Sequence, residues 1–215
     1  MRVKFIELYN TIQGEGAWMG RPVTLVRLAG CSNKCPFCDT KQSWNDNSEI
    51  DYLDLVNDIN KLIRITGRLL ITGGEPLEQY NIVNKLATDY CDYEIGIETS
   101  GNYVYTDLRD SIDVITISPK KHNFALEKLE KWEDGGLYTV NYKFVIGNNS
   151  WSLDEVLDII EKLNINYDRV WLMSETDNGN FNSKLCQEVW EFCTKYGMNY
   201  SDRLHCRIFG NKNGV

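Results

Sequence analysis

Short apolar runs alternate with segments of helical periodicity along most of the chain. In 51–63 the apolar residues recur at spacings of three and four, which predicts an amphipathic helix. Ser152 directly precedes a later segment of helical periodicity, and Glu155 lies three residues after it. This pair of residues predicts a capping box at the start of that helix. Gly197 is the stop signal of the last such segment. The predicted helices span 51–63, 77–87, 152–163 and 182–197.

The apolar runs between these helices are bounded by glycine, proline or polar residues, a pattern typical of buried strands. They cover 23–30, 68–72, 93–99, 112–118, 140–147, 169–174 and 203–210. Alternation of strands and helices predicts a parallel sheet of about six core strands with helices outside. Six strands are too few for a closed eight-stranded barrel. We therefore expect an α/β fold, a partial (open) TIM-like barrel, in a single domain over 1–215.

Composition narrows the class of protein. The chain has 215 residues, of which 42% are apolar and 25% charged, as in ordinary soluble globular proteins. It shows no apolar run near the roughly 20 residues of a membrane span, and residues 1–7 lack the apolar segment of a signal peptide. The net charge of −8 argues against a general nucleic-acid binder, because phosphate contacts need a basic surface. We expect no membrane and no nucleic-acid partner.

The cysteines point to a metal site. Their odd number, seven, without a signal peptide indicates a reducing compartment, and we expect a cytoplasmic protein. Cys31, Cys35 and Cys38 lie within eight positions, directly after the predicted strand 23–30. Such clustering is typical of metal binding rather than of disulfides. The remaining cysteines are Cys91 in a polar turn, Cys206, and the pair Cys186 and Cys193, which we expect in the core on one helix face.

The spacing C-x3-C-x2-C suits three irons of a [4Fe–4S] cluster. Ligation by cysteine alone would need four thiolates, so a missing fourth leaves one iron open to an added ligand. The alternative is a structural zinc site, which would require a fourth cysteine or histidine. The two histidines, His122 and His205, both lie far from the cysteines in sequence. We therefore favour the cluster.

Polar or glycine-rich motifs follow four successive predicted strands. The cysteine loop follows the first, and GGEP (73–76) follows the second. ETSG (98–101) and SPK (118–120) follow the third and the fourth. Ligands of parallel α/β sheets bind beyond the carboxyl ends of the strands. The four motifs together therefore predict one binding rim.

The cysteine motif after the first strand, with GGEP after the second, resembles the signature of the radical S-adenosylmethionine (SAM) superfamily. The resemblance implies that SAM chelates the open iron and that one electron from the cluster cleaves SAM. The resulting 5′-deoxyadenosyl radical takes a hydrogen atom from the substrate. Phe37 could instead pack in the core, and Ser118 and Lys120 could instead belong to an ordinary turn at the end of a strand. The implied SAM-binding residues are Phe37, Asp39, Gly74, Glu98, Ser100, Ser118, Pro119 and Lys120.

Further motifs are similar to the 7-carboxy-7-deazaguanine synthase family over essentially the whole chain. They are TIQGEG (11–16), RLAGC (27–31), CDT (38–40), ETSGN (98–102), ISPK (117–120) and the ending 203–215. The resemblance implies conversion of 6-carboxy-5,6,7,8-tetrahydropterin to 7-carboxy-7-deazaguanine, with ring contraction and loss of ammonia, for queuosine and other 7-deazapurines. It also implies Mg²⁺, a homodimer and an external electron donor of the flavodoxin or ferredoxin type.

The same resemblance implies roles for individual residues. The pterin would be bound by Ile12, Gln13, Gly14, Glu15, Arg27, Thr72 and Val215. Arg27 would bind the substrate carboxylate with its planar fork, although a structural ion pair is the alternative. Glu15 either contacts the pterin or orders its loop. Thr40 would bind Mg²⁺ through its hydroxyl, with a helix N-cap as the alternative.

Two other interpretations of the sequence remain open at this point. A radical SAM activating enzyme, which forms a glycyl radical on a partner protein, shares the cluster motif and the small size. It would lack the pairing of QGEG with CDT. A binding module with a structural zinc would share only the clustered cysteines.

Overall fold

The structure is a computed structural model that describes the chain apart from residues 36, 37, 39, 45–47, 135–139, 178, 211, 213 and 215 and the side chains of Thr106 and Arg109. The strands are β1 (Arg2–Ile12), β2 (Pro22–Leu28), β3 (Glu49–Asp51), β4 (Arg68–Gly73), β5 (Glu94–Thr99), β6 (Val114–Ile117), β7 (Val140–Ile146), β8 (Val170–Ser174), β9 (Thr176–Asp177), β10 (Asn180–Phe181) and β11 (Asn199–Ser201). The helices are α1 (Tyr52–Thr66), α2 (Tyr80–Asp89), α3 (Leu126–Glu133), α4 (Leu153–Leu163), α5 (Ser183–Tyr196) and α6 (Leu204–Phe209).

Nine strands form one sheet in the order β11-β8-β7-β6-β5-β4-β2-β1-β3. The six predicted core strands, β2 and β4 to β8, pair in parallel with their neighbours in this order. β11 adds a parallel strand at one end, whereas β1 and β3 add antiparallel strands at the other. Within the described residues no ladder joins β3 to β11, so the sheet is open. This confirms the predicted α/β class.

The predicted helices are present with small changes in their bounds. The capping box of α4 has both of its hydrogen bonds, from the Glu155 N–H to Ser152 and from the Ser152 N–H to Glu155. Gly197 ends α5 in the left-handed conformation. On that helix Cys193 is buried but Cys186 is only half-buried, so the expectation that both lie in the core is wrong for Cys186. No helix among the described residues has the length and apolar character to cross a bilayer.

The prediction of a strand over 203–210 is wrong, because this segment contains helix α6. Apolar and polar residues alternate from Leu204 onward, which imitates a half-buried strand. Only Cys206 of the helix is buried, however, and the Leu204 N–H donates to the carbonyl of Gly14 at 3.1 Å. The final strand is instead β11, which pairs with β8.

The two faces of the sheet have different partners. One face carries the large core cluster, which includes Val26 and Ile71 and the buried residues of the helices. The opposite face, called here the inner face, carries a small cluster of Trp18, Val23, Leu25 and Leu70. Side chains alternate along a strand. Arg27 therefore follows Leu25 onto the inner face, and it lies beside Thr72 in the ladder of β2 and β4. The Arg27 side chain therefore lies on the inner face of the sheet and not among the helices.

Candidate functional site

The GGEP motif holds the start of the cysteine loop by backbone contacts. The N–H of Gly74 donates to the carbonyl of Leu28 at 3.1 Å, and that of Glu75 donates to Gly30 at 2.8 Å. A methyl group on Gly74 would lie 2.1 Å from the oxygen of Gly30, and one on Gly73 would lie 2.2 Å from that of Leu28. The two glycines are thus required for close packing of β4 against the end of β2 and the cysteine loop.

Substitution of Gly74 by alanine is therefore expected to displace the cysteine loop. The added methyl meets backbone atoms, which cannot rotate away as a side chain can. The G74A protein should bind less than about half the iron of the wild type after anaerobic reconstitution and unfold several degrees lower. Iron analysis and thermal melting measure both quantities. G67A is the control, because alanine strains the backbone at Gly67, where φ is +68°, but its added methyl has nothing within 4 Å. Equal iron content in G74A and G67A would contradict this account.

Glu75 ties the ends of β4 and β5 together. Its side chain is 1% exposed. It accepts hydrogen bonds from the Thr99 hydroxyl at 2.7 Å, from the Ser100 N–H at 2.8 Å and from the Ser100 hydroxyl. A second backbone donor is the N–H of Leu77, at 3.1 Å. A buried carboxylate needs several donors of this kind. The acidic residue of GGEP therefore fixes the ETSG motif beside the cysteine loop, a role that the sequence did not reveal.

The backbone of the cysteine loop bends around Cys31. The backbone N–H groups of Asn33 and Lys34 lie near enough to the Cys31 thiol to lower its pKa, and Lys34 is in the left-handed region at φ +44°. Burial raises the pKa of the half-buried Cys31 thiol, while these two N–H groups oppose the rise. N–H donors directed at a sulfur stabilise its anionic form. Burial outweighs the two N–H groups, so the pKa of the Cys31 thiol stays raised on balance.

Cys35 lies within electrostatic reach of both other cysteines. Burial raises the pKa of its thiol, and the positive charge of Lys120 opposes that rise. The groups of Cys38 and Cys31 raise the same pKa further, as neighbouring anions do. The structure therefore brings the three predicted ligands together, with Lys120 from the SPK motif beside them.

Asn33 anchors the cysteine loop to the next two strand ends. Its side-chain oxygen accepts hydrogen bonds from the amide groups of Asn102 and Asn123, the first at 2.8 Å. Its carbonyl oxygen lies 2.9 Å from Nε2 of His122. These three residues follow β5 and β6. The sequence gave no signal for Asn33, because its partners lie about 70 to 90 positions away.

The donor set suits a cluster better than a single ion. In the part of the chain that the structure describes, no three His, Cys, Asp or Glu side chains converge closely enough to hold one metal ion. A structural zinc site needs such convergence. The three thiolates of an iron–sulfur cubane bind different irons, so they need only surround a common space. Cys31, Cys35 and Cys38 fit the cluster on this ground.

The residues predicted to bind SAM fall into two groups. Ser100, Pro119 and Lys120 line one small pocket next to the cysteine loop, and the ammonium of Lys120 donates to the Ser118 hydroxyl at 2.8 Å. Glu98 lies elsewhere, on the inner face. Phe37 and Asp39 lie outside the described residues.

Two buried hydroxyls near the same rim lack hydrogen-bond partners. They belong to Ser150, in the loop after β7, and to Ser174, at the end of β8. Trp151, next to Ser150, donates to the carbonyl of Pro119 at 3.0 Å, which joins this loop to the SPK motif. A buried polar group without a partner is costly unless a ligand or water completes it. The rim thus has the unfilled polar capacity expected of a site for a polar cofactor.

A polar cluster on the inner face unites several predicted substrate residues. The amide of Gln13 donates to Glu98 at 3.0 Å, and the Thr72 hydroxyl donates to the other oxygen of Glu98 at 3.4 Å. Lys143 of β7 donates to Glu98 at 3.2 Å and to Glu15 at 2.6 Å. We call these five residues the inner-face cluster. Lys143 was not identified from the sequence, where it lies inside an apolar run.

The chain segment after β11 closes over the QGEG loop. Arg203 donates to Glu15 at 3.1 Å, and Nε2 of His205 lies 3.9 Å from the same oxygen. A methyl group on Gly14 would lie 2.2 Å from the ring of His205. Burial opposes ionisation of Glu15, but the charges of Lys143, Arg203 and His205 outweigh it and hold the pKa of Glu15 below its usual range. Glu15 is therefore an anion in a closed site.

Arg27 lies at the other end of the inner face, paired with Glu7. Its Nε donates to the Glu7 carboxylate at 2.6 Å, and the Arg27 side chain is 17% exposed. The Arg27 pKa is raised: its burial favours the neutral form, but hydrogen bonds and charges from Glu7 and Tyr9 outweigh it. Gly214 lies near the same place, because a methyl group there would be 3.9 Å from Glu7. The C-terminal end thus approaches the Glu7–Arg27 pair, although Val215 itself lies outside the described residues.

Two predicted residues have simpler surroundings. Ile12, at the end of β1, is 51% exposed. Thr40 precedes the short 3-10 turn Lys41–Ser43 and accepts from the Ser43 hydroxyl with its carbonyl at 2.7 Å. Thr40 occupies the N-cap position of this turn, as the alternative interpretation had it, but its side chain makes no capping hydrogen bond. The Thr40 N–H points to the sulfur of Cys38 at 3.4 Å, which places this residue beside the proposed cluster.

Comparison with known proteins gives a consistent result. A family model described as the radical SAM superfamily matches residues 25–178. A 7-carboxy-7-deazaguanine synthase from Pyrobaculum aerophilum is 30% identical over 99% of this chain and 97% of its own. Another from Hyperthermus butylicus is 29% identical over 96% and 92%. The crystal structure of QueE from Escherichia coli has a TM-score of 0.70 at 22% identity and covers 95% of both chains, a likeness of fold.

Proposed function

Because this chain belongs to the radical SAM superfamily and, within it, to the 7-carboxy-7-deazaguanine synthases, we propose that it forms 7-carboxy-7-deazaguanine from 6-carboxy-5,6,7,8-tetrahydropterin with loss of ammonia. The enzyme is a carbon–nitrogen lyase of 7-deazapurine biosynthesis. The observation that carries the proposal is the inner-face cluster. In it the QGEG loop, a motif of this family, supplies two of the polar groups that surround one space on the sheet. The full-length relatives favour the synthase over the activating enzyme.

Membership of the superfamily implies a [4Fe–4S] cluster and SAM, and Cys31, Cys35 and Cys38 are the proposed cluster ligands. When bound, these cofactors supply the 5′-deoxyadenosyl radical that takes a hydrogen atom from the substrate. The protein's part is to hold and tune them. With a cluster bound, the N–H groups of Asn33 and Lys34 would stabilise the Cys31 thiolate and would tune the cluster potential, as N–H groups directed at cluster sulfurs do. A radical SAM enzyme also needs an electron donor.

We assign the pocket of Ser100, Pro119 and Lys120 to SAM, together with Gly74 and Ser118 beside it. The support for this assignment is its position next to the cysteine loop and the basic charge of Lys120 near Cys35. That charge suits the carboxylate of SAM. Phe37 and Asp39 stay proposed SAM contacts from the family resemblance alone.

We assign the inner-face cluster to the pterin ring and Arg27 to the carboxylate of the substrate. Glu98, proposed from the sequence as a SAM contact, goes with the pterin here, because its partners are Gln13, Thr72 and Lys143. Ionised Glu98 and Glu15 accept hydrogen bonds from ring N–H groups. Gly14 and Ile12 lie at the entrance to this cluster, and Val215 at the chain end is proposed to close it.

Three further features of the proposal come from the family resemblance. Mg²⁺ would bind the hydroxyl of Thr40 and the substrate carboxylate, in the oxygen shell that this ion prefers. The protein would act as a homodimer. A flavodoxin or a ferredoxin would supply the electron. None of these is needed for the assignment of the inner-face cluster.

Anaerobic incubation of the reconstituted protein tests the proposed function. With SAM, a reductant, Mg²⁺ and 6-carboxytetrahydropterin, mass spectrometry should detect 7-carboxy-7-deazaguanine and free ammonia. Omission of Mg²⁺ should lower the yield several-fold, and omission of SAM should remove the product. A protein that holds about four irons and cleaves SAM, yet forms no deazaguanine, would refute the assignment.

A further inference from the structure

Lys143 lies in the middle of the inner-face cluster and is 5% exposed. Its ammonium reaches the carboxylates of two separate elements, Glu15 of the QGEG loop at 2.6 Å and Glu98 of β5 at 3.2 Å. Its aliphatic stem passes Gly16, where an added methyl would lie 3.6 Å from Cδ. Lys143 therefore links the loop carboxylate to the strand carboxylate through two hydrogen bonds.

The charge of Lys143 is fixed by these neighbours. Burial favours the neutral amine, but the charges of Glu15 and Glu98 and their hydrogen bonds outweigh burial, so the pKa of Lys143 is raised. Burial disfavours the ionised form of a carboxylate as well. The charge of Lys143 and those of the two carboxylates thus stabilise one another. Lys143 stays protonated at neutral pH and is unsuited to proton transfer.

The two carboxylates differ in how much hydrogen-bonding capacity remains. Both oxygens of Glu15 face cations, one at Lys143 and the other at Arg203. One oxygen of Glu98 is held by Lys143 and Gln13, whereas the other meets the Thr72 hydroxyl at the long distance of 3.4 Å. Glu98 therefore presents an acceptor that is fixed in place and has room for a further donor.

We infer that Lys143 is a positioning residue that determines substrate specificity, because it fixes Glu98 as an acceptor-only group for the N–H-bearing edge of a 2-amino-4-oxopyrimidine ring. This inference rests on the proposed function and extends it. A ring with an oxygen in place of the 2-amino group would bring that oxygen, which is an acceptor, against the Glu98 carboxylate, which is also an acceptor. Such a ring is therefore disfavoured. A site that hydrogen-bonds an N–H group of its substrate strongly rejects an analogue that lacks this group.

Binding of two stable probes to the anaerobically loaded enzyme, without reductant, tests the inference. The probes are 6-carboxypterin and 6-carboxylumazine, which differ in the 2-amino and 2-oxo groups. By calorimetry the wild type should prefer the pterin by about tenfold or more, since a hydrogen bond to a charged group is replaced by repulsion. K143M should bring the preference to within about threefold, and K143R should restore most of it.

The pH dependence of pterin binding gives a second readout that a merely structural role would not change. The charged groups that face Lys143 are Glu15 and Glu98, with Arg203 and His205 beyond Glu15. Without Lys143 the pKa of Glu15 should rise. Acidification then protonates the Glu15 carboxylate, which removes hydrogen-bond acceptors for the pterin ring. The affinity of K143M should then fall from about pH 7 to about pH 5.5, more than that of the wild type or K143R.

R169M is the matched control for loss of a buried cation. Arg169 binds Glu133 through two nitrogens, at 3.0 and 2.6 Å, at the far end of β8. This variant should lower the melting temperature and leave the probe preference unchanged. If K143M does not fold, K143Q carries the same expectation, because it is polar but uncharged.

Two results would overturn the inference. One is a K143M or K143Q protein that keeps both the wild-type preference and the wild-type pH profile. The other is a K143R protein that fails to restore the preference although it folds. Failure of the proposed function is a separate outcome, in which the wild type itself forms no 7-carboxy-7-deazaguanine.

Discussion

Replacing Cys31, Cys35 or Cys38 by alanine, one at a time, is expected to abolish formation of 7-carboxy-7-deazaguanine. Each thiolate would bind a different iron, so loss of one leaves a second iron without a protein ligand and destabilises the cluster. Without the cluster there is no electron for SAM cleavage. Both 5′-deoxyadenosine and the deazaguanine should fall below detection, together with the iron content and the visible absorbance.

The other cysteines provide matched controls for this experiment. Cys91 is exposed and Cys186 is half-buried, and the structure gives neither a place in the site. C91A and C186A should keep the iron content and the turnover of the wild type. A single variant of the trio that retained the full cluster and turnover would show that its thiol is not a ligand. Loss of the cluster in C91A would reveal a fourth protein donor and leave no open iron for SAM.

The sequence revealed the core of the fold because parallel strands are buried on both faces. Runs such as 68–72 and 140–147 are mostly apolar, and helices with a clear apolar stripe separate them. The cysteine loop and GGEP follow consecutive strands of this pattern. Their meeting at one rim could be predicted because β2 and β4 are neighbours in the sheet.

Contacts between distant parts of the chain could not be predicted in this way. Glu15 meets Lys143 and Arg203, which lie 128 and 188 positions further along the chain. Lys143 looked like a polar interruption of an apolar strand. Its partner became visible only when the sheet placed β7 opposite the QGEG loop. β1, which is antiparallel and only partly buried, lacked the apolar run that identifies the core strands.

At helix α6 a real alternation of apolar and polar residues led to the wrong prediction of a strand. The alternation of Leu204, His205, Cys206 and Arg207 has a period of two, yet these residues lie on a helix. The helix is held by contacts of its first turn with Gly14 and Glu15. The error therefore fell on the segment that closes the proposed site, where long-range contacts prevail over local periodicity.

Substitution of Arg27 by methionine is expected to lower kcat/KM about 100-fold or more, mainly through KM. Arg27 is the cation proposed to bind the substrate carboxylate, and Glu7 already occupies its Nε at 2.6 Å. Removal of the guanidinium loses the substrate contact and leaves the Glu7 carboxylate facing the carboxylate of the substrate. Truncation of one partner of a desolvated charge pair costs about 2 to 5 kcal/mol, which corresponds to a loss of about 30-fold to 5,000-fold and includes the expected value.

R27K should lie between the wild type and R27M. A lysine keeps the charge, but its single ammonium cannot serve Glu7 and a carboxylate together with the geometry of the planar fork. R68M is the matched control, because Arg68 binds Glu94 through two nitrogens at the start of β4, away from the site. Its kcat/KM should stay within about twofold of the wild type.

A substrate analogue that lacks the carboxylate separates a binding role of Arg27 from a structural one. The wild type should process the carboxylated pterin far better than this analogue, and R27M should lose most of the preference. The two changes then form a double-mutant cycle, in which the coupling energy reports the contact itself. If R27M keeps the wild-type preference, Arg27 serves only its ion pair with Glu7, and another group must hold the substrate carboxylate.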